Sequence, residues 1–188
     1  MIVAEDLSVE GVFSQVSFES GAGTLSVVAG PAGSGRTSLL LTVAGRMKPT
    51  KGTLSVAGHT RPRAIRRVAA LGLVDGVTDL ERSLTVREHL RERRRKPYAK
   101  VLETARVGAD ERAKARDLDR EQRVRLGLAL AMLDEPRVIV ADNVDAGLPD
   151  DRRDAMWDLL RELSGQGHTI VASCIQPPVR FDTLVELS

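Results

Sequence analysis

The sequence predicts an α/β fold with a mostly parallel sheet, and three observations predict it. A short apolar run, Leu25-Ser26-Val27-Val28-Ala29, leads into a glycine-rich stretch at 30–38 and then into a leucine-rich segment at 37–46. Strand, glycine loop, helix is the order in which a phosphate-binding loop occurs. Further apolar runs at 68–74, 137–141, 169–173 and 183–187 read as buried strands, and helical patterns at 85–95, 123–133 and 151–163 interleave with them. Alternating strands and helices imply a parallel sheet, with the glycine loop at its carboxyl edge.

Residues 53–56 alternate between Lys51-Gly52 and Gly58, which predicts a short antiparallel strand bounded by turns. The run 68–74 is broken only by Gly72. The helix at 85–95 has Thr85 as its cap and Pro97 as its stop. Two shorter helices are expected at 99–106 and 110–116. The helix at 123–133 is punctuated by Pro136, and the strand at 137–141 is the clearest in the chain. The helix at 151–163 ends at Ser164-Gly165-Gln166-Gly167. No repeat, low-complexity linker or domain boundary interrupts this, so residues 1–188 are read as one domain.

Composition narrows the function classes. The chain is 42% hydrophobic and 29% charged, enough for a packed core, and only 3% aromatic, which argues against stacking platforms for single-stranded nucleic acid. One cysteine, Cys174, excludes an internal disulfide and agrees with a reducing compartment. The first residues lack the pattern of a signal peptide, and no apolar run approaches a membrane span, so a cytoplasmic protein is expected. The net charge of +2 is mild, but Arg87, Arg91, Arg93, Arg94, Arg95, Lys96 and Lys100 crowd one stretch against Glu88, Glu92 and Glu103. That stretch is either a solvated helix face or a contact for anionic lipid or an acidic protein surface.

The chemistry begins at Gly30-Pro31-Ala32-Gly33-Ser34-Gly35-Arg36-Thr37-Ser38. The pattern G-x-x-x-x-G-K-[ST] is met at Gly30, Gly35 and Thr37, with Arg36 where lysine is expected. Such a loop turns backbone N–H groups onto phosphate oxygens, the following helix adds its positive end, and Thr37 offers a hydroxyl to Mg²⁺. Arginine keeps the charge but is planar, bulkier and inclined to bidentate pairing. Phosphate binding is therefore expected to survive, and the geometry for transferring a γ-phosphate is expected to suffer.

At this point the chain resembles the ATP-binding cassette (ABC) ATPases over nearly its whole length. Val16-Ser17-Phe18-Glu19 with Gly21, the stretch 45–58 from Gly45 to Gly58, Leu84-Thr85-Val86-Arg87-Glu88-His89-Leu90 and Ala146-Gly147-Leu148 look like successive motifs of that family, in order and near family spacing. The resemblance implies a P-loop NTPase fold of the ABC type, with an antiparallel β edge and a shortened helical subdomain at about 84–122. It implies ATP and Mg²⁺ as cofactors, held by Gly30, Gly33, Ser34, Gly35, Arg36, Thr37 and Ser38, with Thr37 and Asp142 toward the metal.

Several positions depart from the family pattern. The glutamine slot before the Leu84 motif holds Gly76, and the family's Leu-Ser-Gly-Gly-Gln signature reads Leu118-Asp119-Arg120-Glu121-Gln122, which is expected to turn two carboxylates toward a γ-phosphate. Asn143 stands in the catalytic glutamate position after Asp142, Pro149 replaces the next aspartate with Asp150 following it, and Ile175 stands where the switch histidine belongs. Asp134-Glu135-Pro136 precedes the strand and cannot reach the site. Phe13 is the nearest aromatic to the adenine-stacking position, at poor spacing. Asp145 is a turn or cap residue, or else a substitute base. His59, His89 and His168 show no ligand spacing and read as surface residues, and Cys174 reads as a small core residue.

The expected function is that of a transporter-like ABC subunit that binds ATP, with reduced affinity and weak or absent hydrolysis. It would sit at the inner face of the membrane beside a permease, and in one arrangement beside a catalytically competent subunit, as a monomer or heteromer rather than a symmetric ATP-sandwich homodimer. The alternatives are a nucleotide-independent scaffold on the same fold, and a nucleic-acid-associated ABC-type ATPase, against which the few aromatics argue.

Overall fold

The computed structural model describes residues 1–93 and 97–188. Two sheets organise it. β1 (Ile2–Val9), β2 (Phe13–Ser20) and β4 (Lys51–Val56) form an antiparallel sheet in the order β2-β1-β4. β3 (Leu25–Ala29), β5 (Ala69–Leu71), β6 (Val138–Ala141), β7 (Thr169–Cys174) and β8 (Thr183–Glu186) form a second sheet in the order β5-β6-β7-β3-β8. Every pairing in this second sheet is parallel.

The central strands are apolar on both faces because both faces are covered. Val28, Val140 and Val171 face the antiparallel sheet and α1 (Arg36–Val43), packing with Ile2, Leu39 and Val56. Their neighbours Val27, Ile139 and Ile170 point the other way, onto α5 (Arg120–Met132) and α6 (Asp150–Gly165), against Leu128 and Leu160. A third cluster, Val86, Leu90, Leu118, Leu126 and Leu130, joins α5 to α3 (Val86–Arg93).

Most expected elements are present. The Thr85 cap is a capping box: Glu88 accepts from the Thr85 N–H at 2.7 Å, and the Glu88 N–H donates to Thr85 Oγ1 at 3.2 Å. α3 is described to Arg93; Arg94, Arg95 and Lys96 of the basic stretch lie outside the described residues. α4 is Ala99–Thr104.

Two expectations are corrected. The segment 110–116 is not a helix but turns leading to a 3-10 turn at Ala115–Asp117. Asp110 Oδ1 accepts from the Arg112 N–H at 2.9 Å, and such local side-chain bonding competes with helix. The run 68–74 is strand only at β5, because α2 (Pro62–Val68) ends where the strand begins.

Candidate functional site

The parallel sheet sets the site. β7 lies between β3 and β6, with Cys174 opposite Ala29 and Ala172 opposite Ala141. The segments leaving the carboxyl ends of β3, β6 and β7 therefore open on one edge, where α/β sheets collect ligands. Asp134, Glu135 and Pro136 lie at the other end of β6, as expected.

The loop from Gly30 to Ser38 follows β3. Gly35 precedes α1 with φ +91°, and a β-carbon there would lie 3.0 Å from both Cγ1 and the carbonyl oxygen of Val12. Both the backbone conformation and the close approach require glycine. No side chain caps α1 and its first turn carries no acid, so the positive end of the helix is left for a ligand. Two buried polar atoms on the loop have no partner, Ser34 Oγ and Arg36 Nη1. Arg36 is only 7% exposed. A buried guanidinium nitrogen without an acceptor is costly, and a phosphate oxygen would satisfy it. The loop residues therefore fit a polyphosphate.

Thr37 and Asp142 are brought together. Thr37 Oγ1 donates to Asp142 Oδ2 at 2.6 Å, and Ser173 Oγ donates to the other carboxylate oxygen. The Asp142 N–H donates to the Leu73 carbonyl at 3.1 Å, and Asp142 is 3% exposed. A hydroxyl and a carboxylate so placed can hold Mg²⁺ directly or through water beside bound phosphates. Among the described residues no group of three His, Cys, Asp or Glu side chains forms a separate metal cage. Ser173 was missed in the sequence, where a hydroxyl inside an otherwise apolar run was the available signal.

Asn143 follows with φ +45°; its N–H donates to Ser173 Oγ at 2.9 Å. Its carboxamide carries no proton-accepting charge. Asp145 is engaged by its neighbours: Trp157 Nε1 donates to Asp145 Oδ2 at 3.1 Å, and the Asp145 carbonyl accepts from the Leu148 N–H. Burial pushes the Asp145 carboxyl up, against the opposing Trp157 bond and the Arg153 and Arg36 charges. The Trp157 and Leu148 bonds fit the turn role. Cys174 is fully buried and its thiol is pushed up to about 12, first by burial and then by Asp145. Ile175 is 59% exposed at the end of β7 and offers no titratable group.

The signature region is corrected. Its two carboxylates do not face outward together. Glu121 points inward to Arg125 at 2.7 Å, with side-chain exposures of 13% and 6%. Asp119 caps α5 by accepting from the Gln122 N–H at 2.8 Å, and Arg152 reaches Asp119 at 3.3 Å. Arg120 bridges two segments that sequence reasoning did not connect: Nη1 donates to Asp75 Oδ1 at 2.8 Å and Nη2 to the Asn143 carbonyl at 3.2 Å.

Phe13 is 8% exposed in the core between the sheets, so it is not free to stack on a base. Gly76 forms a turn whose N–H donates to Asp79. Pro149 precedes α6, and Asp150 begins it. His89 is buried with Nε2 3.1 Å from the Glu81 carbonyl, contrary to the surface expectation; His59 and His168 are part-exposed. Of the basic stretch, Arg87 pairs with Glu111 at 3.1 Å and Arg93 with Asp134 at 3.3 Å.

Residues 13–146 match the model of a family described as ABC transporter. The chain belongs to that family. It is 32% identical over 171 residues to Nod factor export ATP-binding protein I of Burkholderia orbicola, covering 85% of this chain and 56% of the relative. A protein of the same name from Ralstonia nicotianae is 32% identical over 185 residues, covering 88% and 58%. The chain thus spans about half the length of the curated relatives it matches. Its fold is that of ABC nucleotide-binding domains. It superposes on cbiO1 of Clostridium perfringens, part of the cbiONQ transporter complex, with TM-score 0.85 and 17% identity, covering 100% of this chain and 84% of that one. A dimeric ATP-binding cassette in a post-hydrolysis state with ADP and Pi gives TM-score 0.81 and 21% identity, covering 100% and 94%. Among the described residues no helix of this ABC family member is long and apolar enough to cross a membrane.

Proposed function

We propose that this chain is the nucleotide-holding ATP-binding subunit of an ABC transporter-like complex, with weak or absent hydrolysis of its own. Gly30, Gly33, Ser34, Gly35, Arg36, Thr37 and Ser38 hold the phosphates of ATP, and Thr37 and Asp142 hold Mg²⁺, which neutralises phosphate charge when bound. Residues 84–122 form the reduced helical subdomain of a single domain. The observation that carries this reading is the Thr37–Asp142 hydrogen bond of 2.6 Å with a carboxamide, Asn143, next in the chain. Binding groups are assembled while the adjoining position has no base. General-base assistance contributes roughly 10²–10⁴ in rate, so its loss leaves binding and removes most turnover. Reduced affinity follows from Arg36, whose fork replaces a point charge.

The partner is a membrane permease, which holds this subunit at the inner face of the membrane, and a competent ABC subunit supplies hydrolysis. A symmetric ATP-sandwich homodimer is disfavoured because Asp119, Arg120 and Glu121 are committed to contacts within the chain. Nucleic acid is not the partner.

Calorimetric titration of the purified chain with ATP and Mg²⁺, with phosphate release followed in the same sample, tests the reading. Micromolar binding without release is expected. Robust turnover abolished by Asp142→Ala would overturn the non-catalytic part, and no binding would leave a scaffold that has the fold without the ligand.

A further inference from the structure

The chain carries 28 Lys and Arg against 26 Asp and Glu, but the two signs are unevenly spread. From Ser20 to Val74 there are eight Lys and Arg and no Asp or Glu, which leaves the rest of the chain net acidic. Within that segment Arg36 belongs to the phosphate loop, whereas Arg61, Arg63, Arg66 and Arg67 stand exposed on α2 and at its cap. α2 ends at Val68, where β5 begins, so these arginines lie at the amino edge of the parallel sheet, opposite the edge that carries the 30–38 loop.

Arg46, beyond the C-terminal end of α1, joins them. Its Nη1 donates to the carbonyls of Ala44 at 2.9 Å and Ala69 at 3.4 Å, and Arg66 Nη1 donates to the Gly45 carbonyl at 2.8 Å. Backbone carbonyls, not acids, thus hold these guanidinium groups in place. The Arg46 guanidinium is pushed below its usual pKa, first by burial and then by the Arg93 and Arg66 charges, with Asp134 opposing. No ion pair among the described residues involves Arg46, Arg61, Arg63, Arg66 or Arg67. Like charges fixed together without a counter-ion attract an anion.

Two observations choose its kind. Ile65 is the buried side chain of α2 and no large apolar side chain is exposed on that helix, so the face lacks the anchor that the core of a protein interface uses. None of the five arginines lines the groove beside Ser34 or the groove beside Glu162, so an acidic peptide finds no cleft there. A plane of lipid phosphates needs neither anchor nor cleft, and guanidinium groups pair with phosphate bidentately.

We infer that the arginines of α2, with Arg46, form a docking face for the headgroups of an anionic lipid bilayer, at the opposite edge of the sheet from the nucleotide loop. The contact requires neither ATP nor a permease. It is electrostatic, so salt screens it within a Debye length. The same surface repels the net acidic remainder of the chain, which turns α2 toward the lipid.

The test is flotation of the full chain with vesicles of phosphatidylcholine, and of phosphatidylcholine mixed with phosphatidylglycerol, at low and at high salt. Binding to the mixed vesicles alone, lost at high salt, is expected. The double variant Arg63→Ala, Arg67→Ala is expected to weaken that binding by about tenfold or more with an unchanged unfolding midpoint. Arg152→Ala with Arg153→Ala removes the same charge from α6, where both are paired, and is expected to have much the smaller effect. An equal loss in both double variants would make net charge the cause and overturn the docking face. Absence of salt-sensitive binding to the mixed vesicles, or equal binding to neutral ones, would overturn it too. Tighter binding to polyglutamate than to the mixed vesicles, lost in the α2 variant, would assign the face to an acidic protein segment and overturn the lipid.

Discussion

Two helix N-termini of this chain, those of α1 and α5, use the same positive end of the backbone dipole in opposite ways. α1 has no side-chain cap, no acid in its first turn, and two buried polar atoms without partners beside it. α5 is capped by Asp119, carries Glu121 in its first turn, and has Arg120, Arg125 and Arg152 pairing with neighbouring acids. The first terminus has no side-chain partner of its own, and the second is completed by its own chain. There the side chains of Asp119, Arg120 and Glu121 bond to their own chain.

The largest effect that would break this contrast is at Glu121. Glu121→Ala strands the 6%-exposed Arg125 side chain, and breaking a buried pair costs about 3–5 kcal/mol. Urea unfolding should show that loss; a change under about 1 kcal/mol would mean the pair is solvated and the α5 terminus is not internally committed. At the other terminus the same kind of deletion is expected to act on ligand, not fold. Arg36→Ala should weaken ATP binding by about tenfold or more, since hydrogen bonds to charged groups contribute about 1.5–3 kcal/mol. Its stability should stay level or rise, because the deleted Nη1 has no partner to lose. A large drop in stability would make Arg36 a structural residue.

The loop half of this contrast was legible in the sequence and the α5 half was not, and the reason is range. Strand, glycines and Thr37 lie within fourteen residues of one another, so the pattern is local. Glu121 and Arg125 are also a local pair, but nothing in the sequence says that this face of α5 turns inward. Arg120 meets Asp75 and Asn143 across 45 and 23 residues, and Ser173 meets Asp142 across 31, contacts only the sheet order creates. β1 and β2 escaped notice for a different reason. Register shifts between Ala4 and Leu7, and positive φ at Asp6 and Gln15, break the alternation that marks a strand. α2 is seven residues long with Ile65 its only buried side chain, too short for helical periodicity to show.

A smaller effect sharpens the comparison at the bridge between the two regions. Arg120→Ala removes the bonds to Asp75 and to the Asn143 carbonyl; with the pair part-exposed, the cost should be about 1 kcal/mol or less. Faster amide exchange at Gly76 and Val77, with little change in the unfolding midpoint, is the expected signature. Unchanged exchange there would mean Arg120 does not hold the loop after β5.

The smallest effect concerns Asp145, and its sign decides whether α1's terminus is as incomplete as it looks. Burial raises this carboxyl above its unfolded value, so in the window just above the ordinary carboxylate range the folded protein binds more protons than the unfolded one. Stability therefore falls as pH rises through that window and is lowest, as far as this group contributes, above it. Asp145→Asn keeps an acceptor for Trp157 Nε1 without the charge. It should be slightly more stable than the native protein at pH 7, with the gap closing as pH is lowered. Loss of stability at pH 7 would reverse the argument. It would make Asp145 the counter-charge of Arg36, and the phosphate loop would then be compensated from within, as the α5 terminus is.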